Sequence, residues 1–121
     1  MKKFMEAVKT LLKENNKILI YPEQAMWWNY RKPRPMKIGA FKLAVSNNVP
    51  ILPCFITMKD SKDIAPDGSN IQEHTIHFLE PIYPATDKTA KENAEYLMNK
   101  NFEMWVKVYE ETYNKKLEYL K

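Results

Sequence analysis

The sequence predicts an α/β fold: a small, mainly parallel sheet flanked by helices and followed by a long C-terminal amphipathic helix. Three observations carry this. Short apolar runs at Ile18-Leu19-Ile20 and from Pro50 to Thr57 are bounded by proline and turn signals, as buried strands are. Between them Ile38, Phe41, Ala44 and Val45 fall at helical spacing, so strand, helix and strand would form a right-handed crossover with parallel strands. Toward the C-terminus, Ala94, Met98, Phe102, Trp105, Tyr109, Tyr113, Leu117 and Leu120 recur every three or four residues and draw one stripe along a single helix.

Each element follows in order. From Lys2 to Asn15, Phe4, Met5, Val8, Leu11 and Leu12 are helically spaced with lysines between them, and Asn15-Asn16 stops the helix. Lys17 to Tyr21 reads as a short buried strand ended by Pro22, which has no N–H for a ladder. Trp27 to Pro35 is too rich in proline and bulky polar groups for regular structure and reads as a loop with aromatic anchors. A short helix follows, preceded by Pro35 and closed by Asn47-Asn48, then the interior strand from Pro50 to Thr57. Lys59 to Asn70 reads as a polar loop turning at Ala65-Pro66-Asp67-Gly68, and Thr75 to Leu79 as a third strand. The final helix begins near Lys88, its apolar stripe packing on the sheet or, alternatively, meeting a partner or a membrane surface.

The 121 residues suffice for one domain and are too few for two ordinary ones. A hydrophobic content of 45% with 28% charged residues excludes a disordered or collagen-like chain. Net charge is only +4, but its distribution is uneven. Between Trp27 and Lys42 stand Arg31, Lys32, Arg34, Lys37 and Lys42 with no acidic residue, a patch suited to phosphate groups, anionic lipid or nucleic acid unless it is simply a solvated loop. Cys54 is the only cysteine, so no intrachain disulfide can form, and its apolar surroundings suit a small buried hydrophobe rather than a nucleophile. No stretch approaches the ~20 apolar residues of a membrane span.

Three motifs stand in order: Tyr21-Pro22-Glu23 at a strand end, Lys37-Ile38-Gly39-Ala40-Phe41 opening a helix, and Val49-Pro50-Ile51-Leu52-Pro53. Together they resemble the second half of the 1-acyl-glycerol-3-phosphate and glycerol-3-phosphate acyltransferase family. That family carries Phe-Pro-Glu-Gly-Thr-Arg-Ser, then Lys-x-Gly, then a Val-Pro-hydrophobic-hydrophobic-Pro strand. Here Gln24-Ala25-Met26-Trp27 replaces Gly-Thr-Arg-Ser, so the arginine that the resemblance assigns to the acceptor phosphate is missing from its place. Arg31, Arg34 and Lys37 follow within reach and are the candidate substitutes, since guanidinium groups suit phosphate contacts.

The family's His-x-x-x-x-Asp motif has no counterpart. In that chemistry an imidazole takes the acceptor hydroxyl's proton as the oxygen attacks a thioester, and a carboxylate orients the ring. Five positions after His74 and His77 stand Leu79 and Ile82, so no catalytic residue is assigned in this chain. The two histidines, three apart in a strand, would face opposite ways and share no metal.

The resemblance thus implies one partial acyltransferase domain over residues 1–121, a C-terminal portion inactive alone. The intact enzyme would move a fatty acyl group from acyl-CoA or acyl-carrier protein, as co-substrate, to a glycerophosphate-type hydroxyl of a lysophospholipid. It would need no metal or bound cofactor and would sit in the cytoplasm against an anionic membrane surface. The implied acceptor site is Tyr21, Pro22, Glu23, Arg31, Arg34, Lys37 and Gly39, with Trp27, Val49, Pro50 and Pro53 shaping the acyl and acceptor pocket. Surface left bare by a missing N-terminal half would favour self-association. Each residue also has an ordinary reading: Glu23 as a surface carboxylate, Trp27 and Trp28 as loop anchors. The alternative function is a non-enzymatic module binding anionic lipid or, as the lesser candidate, nucleic acid by stacking on Trp27, Trp28 or Tyr30 with phosphate contacts from Arg31 and Arg34.

Overall fold

The computed structural model describes residues 2–27 and 30–119, so Trp28 and Leu120 lie outside the described residues. Among the described residues there are three helices and one hairpin: α1 (Lys2–Lys13), α2 (Gly39–Ser46), β1 (Cys54–Ile64), β2 (Asn70–Phe78) and α3 (Ala90–Tyr113).

The two asparagine pairs end their helices by the same device. Asn15 and Asn48 take left-handed backbone, with φ of 64° and 49°. The next amide then reaches back five residues, Asn16 N–H to the Leu11 carbonyl and Val49 N–H to the Ala44 carbonyl, and the asparagine's own amide reaches back three. Helix α3 starts in a capping box: the Thr89 hydroxyl accepts from the Glu92 amide while the Glu92 carboxylate accepts from the Thr89 amide. Such a cap contributes about 1 kcal/mol. The helix ends where Asn114 turns left-handed, before the Leu117 and Leu120 that its stripe was expected to include.

The sheet overturns the parallel arrangement. It has two strands, β1 and β2, paired antiparallel from Cys54 opposite Phe78 to Ile64 opposite Asn70. The predicted turn closes it: Gly68 at φ +88° allows its amide to reach the Ala65 carbonyl, and Asp67 accepts from the Ser69 amide and hydroxyl. Those Ser69 bonds hold the Asp67 carboxyl below its ordinary pKa. The strands run further into the polar segment than expected because cross-strand partners such as Lys59 and Glu73 pair there.

Lys17 to Tyr21 is not a strand. No strand among the described residues lies alongside to complete a ladder, and Leu19 remains 73% exposed. The crossover between Ile18 and Thr57 therefore does not form. Pro50 and Pro53 also cannot donate, and the segment between them makes only an isolated antiparallel bridge, Ile51 to Ile82.

Helix α3 organises the core. One buried cluster joins Phe41 and Ala44 of α2 to Ile82 and to Ala94 and Leu97 of α3. A second joins Phe55 of β1 to Trp105 and Tyr109 of α3. Met36 packs against both. The Tyr113 hydroxyl donates to the Met58 carbonyl and accepts from the Met58 amide, filling one ladder position on the free edge of β1. Two buried asparagines on this face were invisible to apolar periodicity. Asn93 clamps Ala85 through both its amide and carbonyl groups, and Asn101 donates to the Met36 sulfur. Helix α1 packs against no other helix or strand.

Candidate functional site

The Tyr21-Pro22-Glu23 segment forms a tight turn closed by the Gln24 amide on the Tyr21 carbonyl, 3.1 Å. Gln24 is left-handed at φ 52°, at the position where the resembled motif has glycine. A side chain there costs about 1–2 kcal/mol, which the surrounding contacts must offset. The Lys37 amide donates to the Pro22 carbonyl at 2.7 Å, so the turn and the entrance to α2 are held side by side and residues 22–37 form a closed loop. Ile38, at the N-cap of α2, supplies no side-chain hydrogen bond to the helix that Gly39 opens. A Cβ on Gly39 would meet nothing within 4 Å, so close packing does not require glycine there.

The basic residues of the loop divide sharply. Arg31 is committed to the hairpin: its Nη2 donates to Asp60 at 3.1 Å and to Gln72 at 2.6 Å, and its guanidinium lies 5.7 Å from the Tyr113 ring centre. Lys32 donates to the Glu118 carbonyl, and the buried Pro33 accepts through its carbonyl from the Tyr119 hydroxyl. Burial and the neighbouring Tyr30 and Tyr109 raise the Tyr119 pKa above its ordinary value. The C-terminal tail therefore straps down the middle of the loop. Arg31 thus serves the fold more than it serves a ligand.

Arg34 differs. Its guanidinium stacks 3.7 Å above the ring centre of Trp27, itself packed edge-on against Tyr30. Its Nε and Nη1 are buried and, among the described residues, have no hydrogen-bond partner, and the same holds for Oε2 of Glu23. Unsatisfied buried charged groups are costly unless a ligand completes them. Glu23 forms no ion pair with Arg31, Arg34 or Lys37 among the described residues. Among the described residues the loop thus carries one unpaired carboxylate oxygen and two unpaired guanidinium nitrogens.

The remaining predicted site residues divide between core and surface. Val49 packs against the α2–α3 cluster, Pro53 is fully buried and Pro50 is exposed. Trp27 is 54% exposed. The groove between α2 and the start of α3, lined by Ile38, Lys42, Val45, Ala90, Lys91 and Glu95, contains none of the predicted site residues. His77 bonds to the Thr57 hydroxyl at 2.8 Å, and His74 is exposed on β2. Cys54 is half-buried, its thiol contacting the Leu52 carbonyl, and burial raises its pKa, which leaves it a poor nucleophile at neutral pH. Among the described residues no three His, Cys, Asp or Glu side chains cluster as metal ligands, and no helix is long and apolar enough to cross a membrane.

The Acyltransferase family model matches residues 1–57, which carry α1, the Pro22-Glu23 turn, the basic loop, α2 and the start of β1. This match supports the acyltransferase family for that segment, with acyl transfer as the general chemistry. Neither a curated protein nor a solved structure matches the chain.

Proposed function

We propose that this chain forms the acceptor side of an acyltransferase that moves a fatty acyl group from acyl-CoA or acyl-carrier protein to the hydroxyl of a glycerophosphate-type lysophospholipid, at a cytoplasmic membrane surface. The observation that carries this reading is Arg34: buried guanidinium nitrogens without partners among the described residues, stacked on a half-exposed tryptophan, suit a phosphate oxygen with apolar contact beside it. Glu23, across the Pro22–Lys37 closure, offers an unpaired carboxylate oxygen to an acceptor hydroxyl. Lys37 and the uncapped start of α2 add positive potential beside the Pro22–Lys37 closure. The proton-accepting imidazole is not assigned to this chain, whose histidines lie on β2. The binding-module alternative is less well supported, because Arg31, one of its two phosphate contacts, is held by Asp60 and Gln72.

Calorimetric titration with a short-chain 1-acyl-glycerol 3-phosphate tests the proposal. Arg34→Ala is expected to weaken binding by about 10- to 100-fold, the loss of one charge-assisted contact. Arg34→Lys should recover only part of it, since lysine cannot reproduce the planar stack. A ligand without phosphate should bind neither protein. Equal affinities of wild type and Arg34→Ala would remove the proposal.

A further inference from the structure

Among the described residues no other helix or strand covers the apolar stripe of helix α1. Val8 is buried and Leu12 half-buried, while Phe4 is 55% exposed, Leu11 43%, and Met5 is exposed as well. Its remaining surface carries Lys2, Lys3, Lys9 and Lys13 against a single acidic residue, Glu6. Helix α3 makes the contrast: its apolar stripe is covered by α2 and β1, and it carries Lys91, Lys100 and Lys107 against five glutamates. The helix left open is therefore the one that is rich in lysine. A few residues further on, Leu19, Ile20 and Tyr21 are also exposed.

We infer that α1 is an interfacial helix that lies in the plane of an anionic lipid surface. Phe4, Met5 and Leu11 enter the acyl boundary while the lysines stay at headgroup level. The charge pattern selects this occupant. A protein groove needs only the apolar stripe, whereas an anionic bilayer also attracts the lysine-rich flanks, and long lysine stems let the ammonium groups stay hydrated beside a buried stripe. The inference deepens the membrane-surface part of the proposed function and rests on that part alone. It does not depend on Arg34.

Co-sedimentation of the full chain with vesicles tests it, using phosphatidylcholine alone and phosphatidylcholine with phosphatidylglycerol, at low and high salt. Wild type should bind the mixed vesicles, and binding should weaken as salt rises. The Phe4→Glu/Leu11→Glu double variant should lose at least about tenfold in partitioning, having lost two apolar anchors. Lys3→Glu/Lys9→Glu should lose about tenfold or more on anionic vesicles and become insensitive to salt. Both should keep the wild-type circular dichroism, because α1 supports no other element. Vesicle binding that survives Phe4→Glu/Leu11→Glu overturns the inference. So does a wild-type dimer that these substitutions convert to monomer, which would assign the stripe to a second copy. Absence of vesicle binding with an intact Arg34-dependent lysophospholipid titration would reject the docking helix and leave the acceptor site standing.

Discussion

Replacing Phe41 with alanine is expected to destabilise the protein by about 3–5 kcal/mol, the range for deleting a buried phenylalanine side chain. Phe41 is 1% exposed and sits where α2 meets α3, against Ala94, Leu97 and Ile82. Alanine would leave a cavity walled by a rigid helix and by the Ile51–Ile82 bridge, which have little freedom to collapse. Domains of this size have about 5–15 kcal/mol in total, so the urea midpoint should fall by a large fraction with an unchanged slope. Phe78, 69% exposed on the outer face of the hairpin, is the control, and its alanine variant should stay within about 0.5 kcal/mol of wild type. A loss below about 1 kcal/mol at Phe41 would show that α2 is not seated on α3 as described. The effect should reach the basic loop, because Met36 packs on this same cluster two residues beyond Arg34.

Asn93→Ala is the second large effect, about 2–4 kcal/mol, and its mechanism is polar. The Asn93 side chain accepts from the Ala85 amide at 2.7 Å and donates to the Ala85 carbonyl at 2.8 Å, with a longer contact to the Lys88 carbonyl. Both backbone groups of Ala85 are satisfied by one residue, and removing it orphans a donor and an acceptor together. The segment from Pro84 to Lys88 should then detach from α3. Two measurements check this: urea unfolding for the stability loss and the rate of tryptic cleavage after Lys88, which should rise in the variant. Unchanged cleavage with a full stability loss would mean that the clamp works through the helix alone.

Local chemistry was the most legible part of the sequence. The asparagine pairs that stop α1 and α2, the Pro66-Asp67-Gly68 turn and the helical character of α3 are each decided within a few residues, and the structure has them, although α3 buries Leu97 and Asn101 where the expected stripe had Met98 and Phe102. Strand formation at Ile18-Leu19-Ile20 depends instead on a neighbour that an apolar run cannot reveal, and without one the run forms no strand. The antiparallel hairpin was hidden for the opposite reason. Its outer half, Lys59 to Ile64, is held by cross-strand pairs between polar residues that carry no apolar pattern. At the site, the sequence marked Glu23 and Arg34 as chemistry-bearing, and both carry unsatisfied buried atoms. It could not separate Arg34 from Arg31, because Asp60 and Gln72, which engage Arg31, lie 29 and 41 residues away. Nor could periodicity identify Asn93 and Asn101, polar residues on a buried face.

The strap formed by Glu118 and Tyr119 has a kinetic consequence. Its contacts with Lys32 and Pro33 join positions 86 residues apart, so they must wait until α3 has docked and carried the chain's end back across the molecule. Release of Glu118 and Tyr119 is therefore expected to loosen the part of the basic loop that leads directly into Arg34.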